Sequence, residues 1–119
     1  MEKEEAGQLL NQAQLYSQQI QNIIAQKTVL VLELNEMKRA LEEVRKTKEK
    51  FVFKLSGPIM IKVDTAELKK EFEERESLAS LRIKTLEKQE VKLKEKIDEL
   101  RTKIIKVRPA KAESEEEAE

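Results

Sequence analysis

Apolar residues in the first part of the chain return at steps of three and four. They fall at Leu9, Ala13, Tyr16, Ile20, Ile23, Leu30, Leu34, Met37, Leu41 and Val44, with only Lys27 breaking the run. That is the heptad pattern of a helix that buries one narrow stripe against a second helix. The second half repeats it. Phe72, Ala79, Leu86, Leu93, Leu100 and Val107 recur every seven residues, Ile83, Ile97 and Ile104 fill the alternate positions, and Glu76 and Glu90 interrupt them. The spacing predicts helices over about residues 8–48 and 65–108, each roughly 60 Å long.

Between them the period changes from seven to two. Residues 51–63 read Phe51-Val52-Phe53-Lys54-Leu55-Ser56-Gly57-Pro58-Ile59-Met60-Ile61-Lys62-Val63, an alternation on both sides of a Gly-Pro pair, which predicts a β-hairpin. With a loop of about three residues, Phe51, Phe53, Leu55, Ile59, Ile61 and Val63 share one face, and Lys54 and Lys62 take the other. The fold class expected is mainly α: a long antiparallel two-helix coiled coil with one β-hairpin at the joined end. In that register Lys27 and Glu90 stand at about the same height, either as a buried register device or as two charges snorkelling to water.

Local signals agree with these limits. Asp64 followed by Glu67 has capping-box spacing for the second helix. Pro109 ends that helix, since its ring and missing N–H stop propagation. Beyond it lies an acidic tail, residues 109–119, with five glutamates after Lys111, and disorder is expected there. Residues 1–108 are expected to form a single domain.

Several apolar residues fit neither stripe. Leu10, Ile24 and Val31 share a second heptad row, and Leu15, Leu32, Leu78, Leu81, Val91 and Ile105 lie outside both. A two-stranded coiled coil leaves them wet. Scattered surface apolars are ordinary, but those near the free helix ends have nothing to cover them.

Composition narrows the function. Charged residues make up 40% of the chain and aromatics 3%, so burial runs along a seam rather than in a conventional core. The 24 basic and 24 acidic residues balance, which disfavours nucleic acid as a partner. With no histidine, no cysteine and two glycines, there is no thiolate, no phosphate-binding loop and no usual general base. No catalytic, cofactor or metal site is expected, and the clustered Glu71, Glu73, Glu74 and Glu76 read as a solvated helix face. The longest apolar run is residues 29–32, too short for a membrane span. The acidic, polar start of the chain is wrong for a secretory signal, so a cytoplasmic location is expected.

An isolated hairpin is marginal in water, and this one carries six large apolar side chains and two unpaired edges. Hairpins from several copies are therefore expected to assemble into a closed sheet. Here the residues match a known family. The sequence Phe-Lys-Leu-Ser-Gly-Pro-Ile at residues 53–59, set between heptad helices, resembles the β subunits of prefoldin, most closely in their archaeal form.

The resemblance implies a hexamer of two α-type and four β-type subunits, with the hairpins forming a β-barrel platform. It implies an ATP-independent chaperone that captures unfolded polypeptides at the coiled-coil tips and passes them to a group II chaperonin. Oligomerisation then falls to Phe51, Phe53, Leu55, Gly57, Pro58, Ile59, Ile61 and Val63. Client binding falls, by position, to Leu9, Leu10, Tyr16, Ile104, Ile105 and Val107. The alternative is a structural coiled-coil adaptor or spacer without client binding, which explains the heptads but not the apolar hairpin.

Overall fold

Both heptad stretches fold as helices. The computed structural model describes residues 2–107, the side chains of Glu2 and Val107 excepted. Helix α1 spans Glu2–Lys46 and α2 spans Thr65–Val107. Between them lie strands β1 (Phe51–Ser56) and β2 (Ile59–Asp64), paired antiparallel as a two-stranded sheet. The acidic tail lies outside the described residues.

Helix α1 starts about six residues earlier than the heptads alone predict. The cause is local: Glu4 and Glu5 in the opening turns favour the positive end of the helix dipole. Ala6, fully buried, extends the stripe one heptad toward the N-terminus. At the other end, α1 stops at Lys46, and α2 forms the Asp64 half of the capping box its spacing predicts. The Asp64 carboxylate accepts from the N–H of Ala66 at 2.9 Å and of Glu67 at 3.2 Å, satisfying two donors that the helix cannot. Thr65 fastens the two junctions to each other, its N–H donating to the Lys50 carbonyl and its hydroxyl to the Glu49 carbonyl.

The contacts divide the chain into two units, one of residues 2–26 with 86–107 and one of residues 27–85. In the first, Ala6, Ile20, Ile23 and Leu100 are buried, and Leu9, Ala13, Tyr16, Leu86, Leu93, Ile97 and Ile104 are half-buried. In the second, Leu41, Leu68 and Ala79 are buried, and Leu30, Leu34, Met37, Val44, Phe72 and Ile83 are half-buried. The described seam is the one the heptads predict. Leu68 falls outside the seven-residue row and is buried none the less, because it sits in the first turn after the hairpin. Lys27 is half-buried in one unit. In the other, the Glu90 side chain is 12% exposed and accepts from Lys94, one turn along, at 3.2 Å.

The hairpin register corrects the expectation of a single apolar face. Ser56 pairs with Ile59, Leu55 with Met60, Lys54 with Ile61, Phe53 with Lys62 and Val52 with Val63. The loop is therefore Gly57-Pro58 alone, two residues rather than three. Gly57 adopts φ +60° and Pro58 holds φ near −65°, the pattern of a II′ turn, which suits the twist of paired strands. A one-residue change of register moves every β2 side chain to the opposite face. Phe51, Phe53 and Leu55 thus share a face with Met60 and Lys62, and Ile59, Ile61 and Val63 share theirs with Val52 and Lys54. The Lys62 ammonium lies over the Phe51 ring, 4.6 Å from its centroid, as a diagonal neighbour on one face must.

Two stability predictions follow from this geometry. Nothing lies within 4 Å of a Cβ built on Gly57, so Gly57→Ala pays only the backbone cost of positive φ. It should lower stability by about 1–2 kcal/mol in denaturant unfolding, with Gly57→Asn costing less. Leu41, with 0% of its surface exposed, should cost about 2–5 kcal/mol on truncation to Ala; a loss as small as a surface mutant's would contradict the seam.

Candidate functional site

The hairpin exposes more apolar surface than anything else in its unit. Phe51, Phe53, Leu55, Ile59, Met60 and Ile61 range from 46% to 72% exposed. Burying a side chain of this size contributes roughly 1.5–3 kcal/mol, a gain this sheet forgoes for most of them. Among the described residues no third strand pairs with it. Both of its edges are open to hydrogen bonding.

Only the part of the hairpin nearest the helices is held. Val52, Val63 and Lys54 are half-buried. The Lys54 ammonium donates to the Glu71 carboxylate on α2 at 3.1 Å, and Arg45 reaches Glu73 at 3.3 Å just below. Such half-exposed pairs contribute little, about 0–1 kcal/mol each. The Lys54–Glu71 pair ties β1 to α2 beside a groove of about 480 Å³ that Val44, Leu68, Phe72, Val52 and Phe53 help to line.

Of the hairpin residues singled out in the sequence, Phe51, Phe53, Leu55, Ile59 and Ile61 are exposed, Gly57 and Pro58 form the turn, and Val63 is half-buried. The turn does not bring the apolar ones to one surface. It distributes them over two, and it adds Met60 beside Phe51, Phe53 and Leu55.

The residues near the free helix ends sort differently. Leu10 is 44% exposed and Ile105 is 67% exposed. Leu9, Tyr16 and Ile104 are half-buried seam residues, and the side chain of Val107 lies outside the described residues. Tyr16 packs under Lys96, whose ammonium is 5.5 Å from the ring centroid. That contact marks the antiparallel level of the two helices in this unit, at which Leu10 stands within about a turn of Ile105. Leu15, Ile24 and Val91 in the same unit are exposed as well.

One signal in the sequence went unread. Residues 6–26 contain no charged residue at all, in a chain that is 40% charged, and seven of them are glutamines. This stretch forms the α1 side of the unit that carries the free ends, apart from the charged opening residues 2–5. It offers amide and apolar groups with no fixed charge. Among the described residues no helix is long and apolar enough to cross a membrane.

Comparison with known proteins places this architecture. Residues 7–108 match the family described as prefoldin subunit. The prefoldin subunit beta of Thermococcus onnurineus is 41% identical over 97 residues, covering 81% of this chain and 84% of that one. The prefoldin subunit beta of Archaeoglobus fulgidus is 35% identical over the same length, covering 81% and 84%. The crystal structure of the prefoldin beta subunit from Thermococcus strain KS-1 superposes with a TM-score of 0.76 at 33% identity, covering 86% of this chain and 90% of that one. Helix, hairpin and helix thus agree with relatives in order, extent and sequence, and the chain belongs to the prefoldin family of non-enzymatic chaperones, among homologues of the archaeal β subunit.

Proposed function

We propose that this chain is a β-type subunit of a cytoplasmic prefoldin hexamer, two α-type and four β-type subunits, that holds unfolded polypeptides without ATP and transfers them to a group II chaperonin. The observation that carries the reading is the hairpin: six large apolar side chains exposed over both faces of a sheet with two strands. Apolar burial on that scale is what drives subunits together, and open strand edges offer the means of closure into a β-barrel platform. Phe51, Phe53, Leu55, Ile59, Ile61 and Val63, joined by Met60, are the residues that would be covered, with Gly57 and Pro58 setting their placement.

Client capture belongs to the free helix ends. An unfolded polypeptide has no fixed shape, so its capture relies on non-directional apolar contact. Leu10 and Ile105 supply that contact at the surface. Leu9, Tyr16 and Ile104 contribute by holding the ends together, and Val107 completes the set by position. Several such ends acting on one client gain by effective concentration what each lacks in affinity.

Native mass spectrometry separates this reading from a coiled-coil spacer. Mixed with an archaeal α-type subunit, the chain should form a particle of two α-type and four β-type subunits; persistence as a monomer or dimer would favour the spacer. A second experiment addresses the ends. Leu10→Asp with Ile105→Asp, both at exposed positions, should change stability by no more than about 0.5 kcal/mol each. In the assembled particle the pair should reduce suppression of client aggregation, followed by light scattering, by several-fold. Undiminished suppression would remove the ends from the capture surface.

A further inference from the structure

A groove of about 440 Å³ lies between α1 and α2 in the unit of residues 2–26 and 86–107. Gln19, Asn22 and Gln26 line it from α1, and Gln89, Lys92 and Lys96 line it from α2. None of its lining residues is acidic. Its floor is apolar, with Ile23 buried and Leu93 half-buried.

The charges lining the α2 wall are both basic. Lys92 and Lys96 stand four residues apart, a spacing at which like charges repel. Glu95 and Glu99 lie about a turn from them on the same helix but outside the groove lining. The facing wall cannot relieve the two lysines, because residues 6–26 carry no charge. Among the described residues Lys96 lies over the Tyr16 ring, a modest partner for an exposed ammonium. Lys94 behaves otherwise: it lies between Lys92 and Lys96 in sequence, on another face of α2, and pairs with Glu90 at 3.2 Å. A basic wall, a neutral wall and an apolar floor fit an acidic peptide lying lengthwise.

The chain's sequence contains such a peptide. Helix α2 ends at Val107, and residues 113–119 contain Glu113, Glu115, Glu116, Glu117 and Glu119 with no basic residue. Lys96 and Lys92 lie roughly 17 and 23 Å back along the helix from Val107. The nine residues from Val107 to Glu116 can span up to about 30 Å. We propose that this groove is the docking surface for the chain's own acidic tail, with residues 113–119 lying against Lys92 and Lys96. Tethering holds the tail at high effective concentration, so individually weak charge pairs suffice, and salt loosens them.

The test is zero-length carbodiimide cross-linking of the full chain, with peptides read by mass spectrometry, on an equal mixture of ¹⁵N-labelled and unlabelled copies. Tail glutamates should link to Lys92 and Lys96 about fivefold more often than to Lys94, which is equally far from the tail along the helix but on another face. The links should join peptides of the same isotope and fade in about 0.5 M salt. Mixed-isotope links would assign the groove to the tail of a second copy and overturn the proposal, as would equal linking to all three lysines. As a second measurement, Lys92→Gln with Lys96→Gln, both surface changes, should shift the NMR amide resonances of residues 113–119; unmoved resonances would also overturn it.

Discussion

The Gly57-Pro58 turn decides which strand residues face each other, and much of what this chain presents to its surroundings follows from that register. A loop of three residues would gather the large hairpin side chains on one surface and leave the other to lysine. The two-residue turn, held by the positive φ of Gly57, gives each face a share. One face carries Phe51, Phe53, Leu55 and Met60, softened by the Lys62 ammonium over Phe51. The other carries Val52, Ile59, Ile61 and Val63, partly covered by the helices. A sheet with apolar groups on both sides cannot be hidden by folding it against a single neighbour.

The helices meet the opposite requirement. Their burial is confined to one stripe, in which small residues such as Ala6 and Ala79 alternate with Leu41, Ile20 and Leu100. The small side chains let the helix backbones approach closely, and the large ones fill the gaps between them. Charge then takes most of the remaining surface, apart from residues 6–26. The chain therefore divides its labour by composition: a charged exterior, a neutral stretch at the free ends, and an apolar hairpin.

Much of this was legible in the sequence because periodicity is a direct consequence of geometry. The seven-residue recurrence located the described seam residues of both helices, and Asp64 marked the start of α2 through the chemistry of its cap. The misses have physical causes. Ala6 directly follows the charged residues 2–5, ahead of the first large heptad residue, Leu9, so the stripe reads as starting later, and Leu68 is buried by its place beside the hairpin rather than by its heptad position. The strand register depended on whether Ser56 paired or turned, a matter of one residue that alternation cannot resolve. At the helix ends, the heptad pattern already separates Leu10 and Ile105, outside the stripes, from Leu9, Tyr16 and Ile104 within them, and the burial agrees. The uncharged run of residues 6–26 was readable and was overlooked, because attention to apolar positions passes over what is missing between them.

The two hydrogen bonds from Thr65 to Glu49 and Lys50 have a mechanical consequence. They stitch the exit of one helix to the entrance of the other at the root of the hairpin. Load applied to the strands is then shared by both helices at once, and this end of the seam resists as a clasp instead of peeling open one strand at a time.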